Sequence, residues 1–146
     1  MATTLSADPT TVANRLRPAL LRLNRDLRRE LHSLDVTGQQ VSLLIKIQKE
    51  RGIGMRELAR WEHMSTPGMS KHIGRLEAAG LVRRTEVADR RRVGLELTQE
   101  GARVLASVKR RRTAWLAERL RGLSPEELEA IDAAVEPLHK LLEVRP

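Results

Sequence analysis

Cysteine, phenylalanine and tyrosine are all missing from these 146 residues, and tryptophan occurs only at positions 61 and 115. Without cysteine there is no disulfide scaffold, no thiolate metal site and no thiol redox switch. Without aromatic platforms, a surface that binds single strands by stacking bases is disfavoured. Long apolar runs are also missing, and residues 1–5 lack the charged-then-apolar pattern of a signal peptide, so the chain is expected to be soluble and cytoplasmic, away from the membrane. The four histidines, His32, His63, His72 and His139, show no ligand-like spacing, which predicts no metal site. No glycine-rich phosphate loop and no compelling Ser/His/Asp order is present, so neither catalysis nor a cofactor is expected.

What is present is positive charge, unevenly placed. The net charge is +8, yet residues 123–146 carry six acids against two bases, a net of −4. The rest of the chain therefore holds +12, a balance that points to a polyanionic partner.

The most informative stretch is Met55 to Gly101. Met55 to Glu62 reads as a short helix. Ser65 or Thr66 then caps a second one, with Pro67 at its first position, where a missing N–H costs nothing. Met69, Ile73 and Leu76 recur at helical spacing and mark the inward face, and Gly80 closes the helix in a left-handed conformation. Two β-prone runs follow, Leu81 to Val87 and Val93 to Thr98, joined by the charged tip Ala88-Asp89-Arg90-Arg91-Arg92. A helix-turn-helix followed by such a hairpin is a winged helix-turn-helix. Thr98-Gln99-Glu100-Gly101 starts another helix.

Apolar seams flank this lobe. Val12, Leu16, Leu20, Leu23, Leu27, Leu31 and Leu34 step at 4, 4, 3, 4, 4, 3, as on one long helix, in which Pro18 should make a kink or mark the regular start. Thr37 caps a helix over Gln39 to Glu50, which Gly52-Ile53-Gly54 breaks. Gly101 to Arg121 continues helically, with Lys109 to Arg112 interrupting its apolar face. Ser124-Pro125-Glu126-Glu127 is a strong helix start before Leu128, Ile131, Val135, Leu138 and Leu142. Neither terminal seam can be buried on so small a lobe. The two could cover each other or intertwine with those of a second chain.

Leu58-Ala59, Met69-Ser70, Arg75-Leu76-Glu77, Gly80-Leu81-Val82-Arg83-Arg84, Asp89-Arg90-Arg91 and Leu97-Thr98-x-x-Gly101 together resemble the multiple-antibiotic-resistance regulator (MarR) family of bacterial transcription factors. The departure is His63, where many helix-turn-helix proteins have a turn glycine; histidine tolerates positive φ better than most residues. The resemblance implies a mostly α fold with a small β-wing over a single domain, 1–146. Residues 37–100 would form the DNA-binding lobe, and 10–36 and 101–146 the dimerisation helices.

It further implies a homodimer on a pseudo-palindromic double-stranded operator, acting as a repressor. Ser65 would belong to the DNA-contacting stretch, Thr66, Gly68 and Ser70 would approach base edges, and Lys71 and Arg75 would reach a phosphate or a guanine edge. Arg91 would enter the minor groove beside Arg90, with Asp89 orienting it. A small aromatic or anionic effector would sit near Trp61, His63, Arg22, Arg25 and Arg29, although Trp61 taken alone reads as core. Two alternatives stay open: a non-specific architectural DNA binder, and a winged-helix protein adaptor.

Overall fold

The computed structural model describes residues 6–86 and 93–143. Its first helix, α1 (Pro9–Arg29), starts behind Asp8, whose carboxylate accepts from the Thr11 backbone N–H at 3.0 Å. Pro18 thus lies inside α1 and does not mark its start. The leucine seam does not run on a single helix to Leu34. After Arg29 the chain tightens into a 3-10 turn at His32–Leu34, and Asp35 takes a left-handed φ of 57°. That turn redirects the last two members of the seam: Leu31 is buried in the core and Leu34 packs against it.

Thr37 opens α2 (Gly38–Lys49) with a reciprocal capping box, its hydroxyl accepting from the Gln40 N–H while the Gln40 side chain accepts from the Thr37 N–H. The Gly52-Ile53-Gly54 break is itself structured: Ile53–Gly54 is a short strand, β1. It is followed by α3 (Met55–Trp61), α4 (Thr66–Ala78), β2 (Val82–Glu86), β3 (Val93–Leu97), α5 (Gln99–Leu120) and α6 (Pro125–Glu143). The sheet is antiparallel in the order β1-β3-β2, with Ile53 opposite Leu95 and Arg83 opposite Glu96. Both hairpin strands are a residue shorter at their outer limits than the β-prone runs suggest. The chain is a mostly α winged helix-turn-helix with a small β-wing.

By their internal contacts the residues fall into two compact units, 1–111 and 112–146. The core of the first gathers Leu31, Leu43, Leu44 and Ile47 with Leu58, Met69, Ile73, Leu76, Leu95, Leu105 and Val108. Side chains of this size each contribute about 1.5–3 kcal/mol when fully buried, so α2, α3, α4 and the sheet fold as one body.

The Leu97-Thr98-x-x-Gly101 stretch fastens α5 to that body. The Thr98 hydroxyl donates to the carbonyl of Gly80 and accepts from the Gly101 N–H at 3.0 Å, capping α5. The Thr98 N–H donates to the Leu81 carbonyl at 3.1 Å. A Cβ on Gly101 would be driven into that same carbonyl, so only glycine allows this approach.

In the second unit, Ser124 caps α6 by a second reciprocal box, its hydroxyl accepting from the Glu127 N–H and the Glu127 carboxylate from the Ser124 N–H. The α6 helix continues through Pro137. Trp115 is buried, with the Arg119 guanidinium 3.6 Å from the centre of its ring.

Candidate nucleic-acid interface

The turn between α3 and α4 is fixed by backbone geometry. His63 adopts φ of 55°, filling the left-handed position with a side chain that tolerates it. Its N–H donates to the Arg60 carbonyl and that of Met64 to Ala59, so the turn closes on α3. Ser65, not Thr66, is the cap: its hydroxyl accepts from the Gly68 N–H at 3.2 Å. Thr66 is then the first helical residue and Pro67 the second. At the other end, Gly80 has φ of 75°, the left-handed closure expected of it.

With Met69, Ile73 and Leu76 fully buried, α4 has a fixed rotation. Thr66, Ser70, Lys71 and Arg75 are consequently all exposed. Residues four apart stack on a helix, which places Thr66 and Ser70 in one row and Pro67, Lys71 and Arg75 in the next. Among the described residues neither Lys71 nor Arg75 has an ion-pair partner, so both charges are open to an incoming anion. Gly68 differs from its neighbours. It is half-buried, and a Cβ there would come within 3.0 Å of the Ser65 hydroxyl, so its size serves the cap.

The bases of the hairpin are held differently. Arg84 donates from Nε to the Glu77 carboxylate of α4 at 2.9 Å. On the neighbouring register position Arg83 pairs with Glu96, and Arg51 Nε donates to the same carboxylate at 2.8 Å. Glu96 was legible only as a polar residue alternating with Leu95 and Leu97; instead of facing open water it is 6% exposed beneath the two guanidinium groups. Asp89, Arg90 and Arg91 lie outside the described residues.

The hydrogen bond from Arg51 holds the Glu96 carboxyl below its ordinary value, against desolvation, with Arg83 adding to the effect. Glu100 is lowered chiefly by Arg103, and Glu127 by the N–H and hydroxyl of Ser124. All three are depressed carboxylates. The stability they contribute is therefore present above the ordinary glutamate range and lost as pH falls through their folded values. Chemical denaturation midpoints should fall below about pH 4, and Glu96→Gln should flatten that slope. An unchanged slope would remove Glu96 from the acid response.

The residues expected around an effector, Trp61, His63, Arg22, Arg25 and Arg29, are all exposed. Trp61 is not core: it ends α3, where the helix has turned its Leu58 and Ala59 face inward, and it is 43% exposed. Its ring is instead flanked by the Lys46 ammonium of α2, 5.1 Å from the centroid. Arg22, Arg25 and Arg29 are exposed along α1, the last two each 3.9 Å from the Asp26 carboxylate. Among the described residues no hydrogen bond, ion pair or ring contact joins these arginines to Trp61 or His63. Nor, among the described residues, does any group of three His, Asp or Glu side chains form a metal-binding cluster. No helix among them is long and apolar enough to cross a membrane.

Comparison with known proteins agrees with this architecture. A MarR family model matches residues 34–92. An HTH-type transcriptional regulator of Mycobacterium tuberculosis is 31% identical over 136 residues, spanning 92% of this chain and 95% of the relative. The solved structure of a MarR family protein from Bacillus stearothermophilus superposes with a TM-score of 0.80 at 25% identity, covering 95% of this chain and all of the other. That of Streptococcus pneumoniae FabT in complex with DNA gives 0.70 at 20% identity, over 89% of this chain and 96% of that one.

Proposed function

The chain belongs to the MarR family of transcriptional regulators, and from that premise we propose that it is a homodimeric repressor that reads a pseudo-palindromic DNA duplex with α4. The observation that carries this reading is the outward face of α4. It has short hydroxyl side chains at Thr66 and Ser70 in one row, and in the next the cations of Lys71 and Arg75, which have no ion-pair partner among the described residues. Hydroxyl side chains suit base edges, and free ammonium or guanidinium groups suit phosphates. FabT, which shares the fold, has been solved with DNA.

Dimerisation is supported by the uncovered seams. Neither α1 nor α6 contains a buried residue. Val12, Leu20 and Leu23 on α1 and Leu128, Ile131, Val135 and Leu142 on α6 are exposed in the single chain. A second copy offering the same stripes is the partner of matching chemistry, and it would set two α4 helices about 34 Å apart, one turn of duplex. Release would follow from a small aromatic or anionic effector near the exposed Trp61 ring and the α1 arginines. Such a ligand lowers DNA affinity only by binding the non-binding form of the dimer more tightly.

A competition titration at fixed salt tests the α4 assignment. Thr66 and Ser70 substitutions should change preference among duplex variants by about 1–3 kcal/mol per misread base pair. Lys71→Ala should lower affinity for specific and scrambled duplexes alike. Equal losses on both duplexes for all three would move the reading to a non-specific architectural protein.

A further inference from the structure

Glu96 is the one buried charged residue among those described, and it does not sit alone in the core. It lies on the central strand β3 directly opposite Arg83, on the face turned away from Leu95 and Leu97. Arg51, from the turn ahead of β1, closes on the other carboxylate oxygen. One negative charge is thus shared between two positive ones, and the cluster keeps a net charge of +1. A single arginine would have been enough to neutralise the carboxylate.

Both guanidinium groups remain largely in solvent, their side chains 78% and 61% exposed for Arg51 and Arg83. Each arginine has five N–H donors in a planar fork, and the carboxylate occupies only part of either set. Among the described residues neither has a further partner. The long arginine side chain ordinarily loses much rotamer freedom when it binds. Here the carboxylate has already restricted both chains, so less remains to be lost on meeting an anion.

Resting on the reading of α4 as the DNA-reading helix, we propose that Glu96 is a positioning residue that holds Arg51 and Arg83 as a paired clamp for a backbone phosphate of the bound duplex. Arg83 is five residues past the end of α4, within about 18 Å along the chain. The major groove is about 12 Å wide, so a phosphate row bordering the groove entered by α4 is within that reach. Arg84, the neighbouring arginine, is tied back to Glu77 on α4 itself and is not part of the clamp. The concentration of positive charge in residues 1–122 favours duplex phosphate over a small free anion.

The test exploits the sign of the charge change. Removing a negative charge from a protein that binds a polyanion should tighten binding, whereas loss of a positioning group should weaken it. Wild type, Arg51→Ala, Arg83→Ala and Glu96→Gln are titrated with one random-sequence duplex over a range of salt concentrations. Arg51→Ala and Arg83→Ala should each weaken binding about fivefold to tenfold and make the log–log salt slope shallower by about 0.9, one phosphate contact. Glu96→Gln should weaken binding about fivefold, and should cause no weakening in the Arg51→Ala/Arg83→Ala background. A role in stability alone would weaken binding in both backgrounds. If Glu96→Gln does not fold, the salt slope of Arg51→Ala, at an exposed side chain, decides the matter. Tighter or unchanged binding by Glu96→Gln, or an unchanged slope in Arg51→Ala, overturns the clamp. Failure of wild type to bind any duplex overturns the reading of α4 with it.

Discussion

Ile131→Asp should convert the protein from a dimer to a monomer and lower its stability sharply with it. In the single chain Ile131 is 46% exposed, so an aspartate there would meet water and change folding by no more than about 0.5 kcal/mol. Covered by a second copy, the same carboxylate is buried without a partner, a cost of several kcal/mol. Symmetry places two substituted residues in each dimer, so the penalty is incurred twice. Light scattering should give twice the chain mass for wild type and once for the variant, at micromolar concentration. The wild-type melting temperature should rise with concentration and the variant's should not. A variant with wild-type mass and stability would mean that the α6 stripe is not an interface.

Gly101→Val should be the most damaging change at the junction of the winged helix-turn-helix and α5. The added Cβ would collide with the carbonyl oxygen of Leu81, with the Leu81 carbonyl carbon only 3.0 Å away. Backbone cannot swing aside like the end of a side chain, so β2 or α5 must shift. That displaces the Thr98 hydroxyl, which caps α5 and bonds to Gly80. Overpacking of this kind typically costs 1–3 kcal/mol, and the lost cap adds about 1 kcal/mol. Denaturant midpoints should fall accordingly, and Gly101→Ala should share most of the loss because its Cβ meets the same atom. A Gly101→Ala variant within about 0.5 kcal/mol of wild type would contradict the close approach.

Local chemistry was legible wherever one residue settles its own neighbourhood. A hydroxyl cap at Ser65 or Thr66, the buried Met69, Ile73 and Leu76, the left-handed His63 and Gly80, and the Ser124 start of α6 follow from side chains acting within a few residues, and the structure settles the first on Ser65. Features made by distant parts of the chain were not. Glu96 is buried because Arg51, 45 residues earlier, reaches it, and no spacing rule joins those positions. The strand at Ile53 and Gly54 is two residues long and exists only through pairing with β3. Periodicity also carried the N-terminal seam too far, since Leu31 and Leu34 keep the spacing after the helix has given way to a turn. Trp61 taken alone read as core, because apolar character says nothing about where a short helix stops being covered. Gly101 stood out as part of a pattern, but the carbonyl that requires it is on another element.

Selection of duplex fragments from a random-sequence pool by the wild-type protein tests the central claim most directly. A dimer reading DNA through two α4 helices should enrich an inverted repeat whose half-sites lie about one helical turn, 10–10.5 base pairs, apart. Binding that persists without enrichment of any sequence would contradict a sequence-reading regulator and leave only attachment to the phosphate backbone.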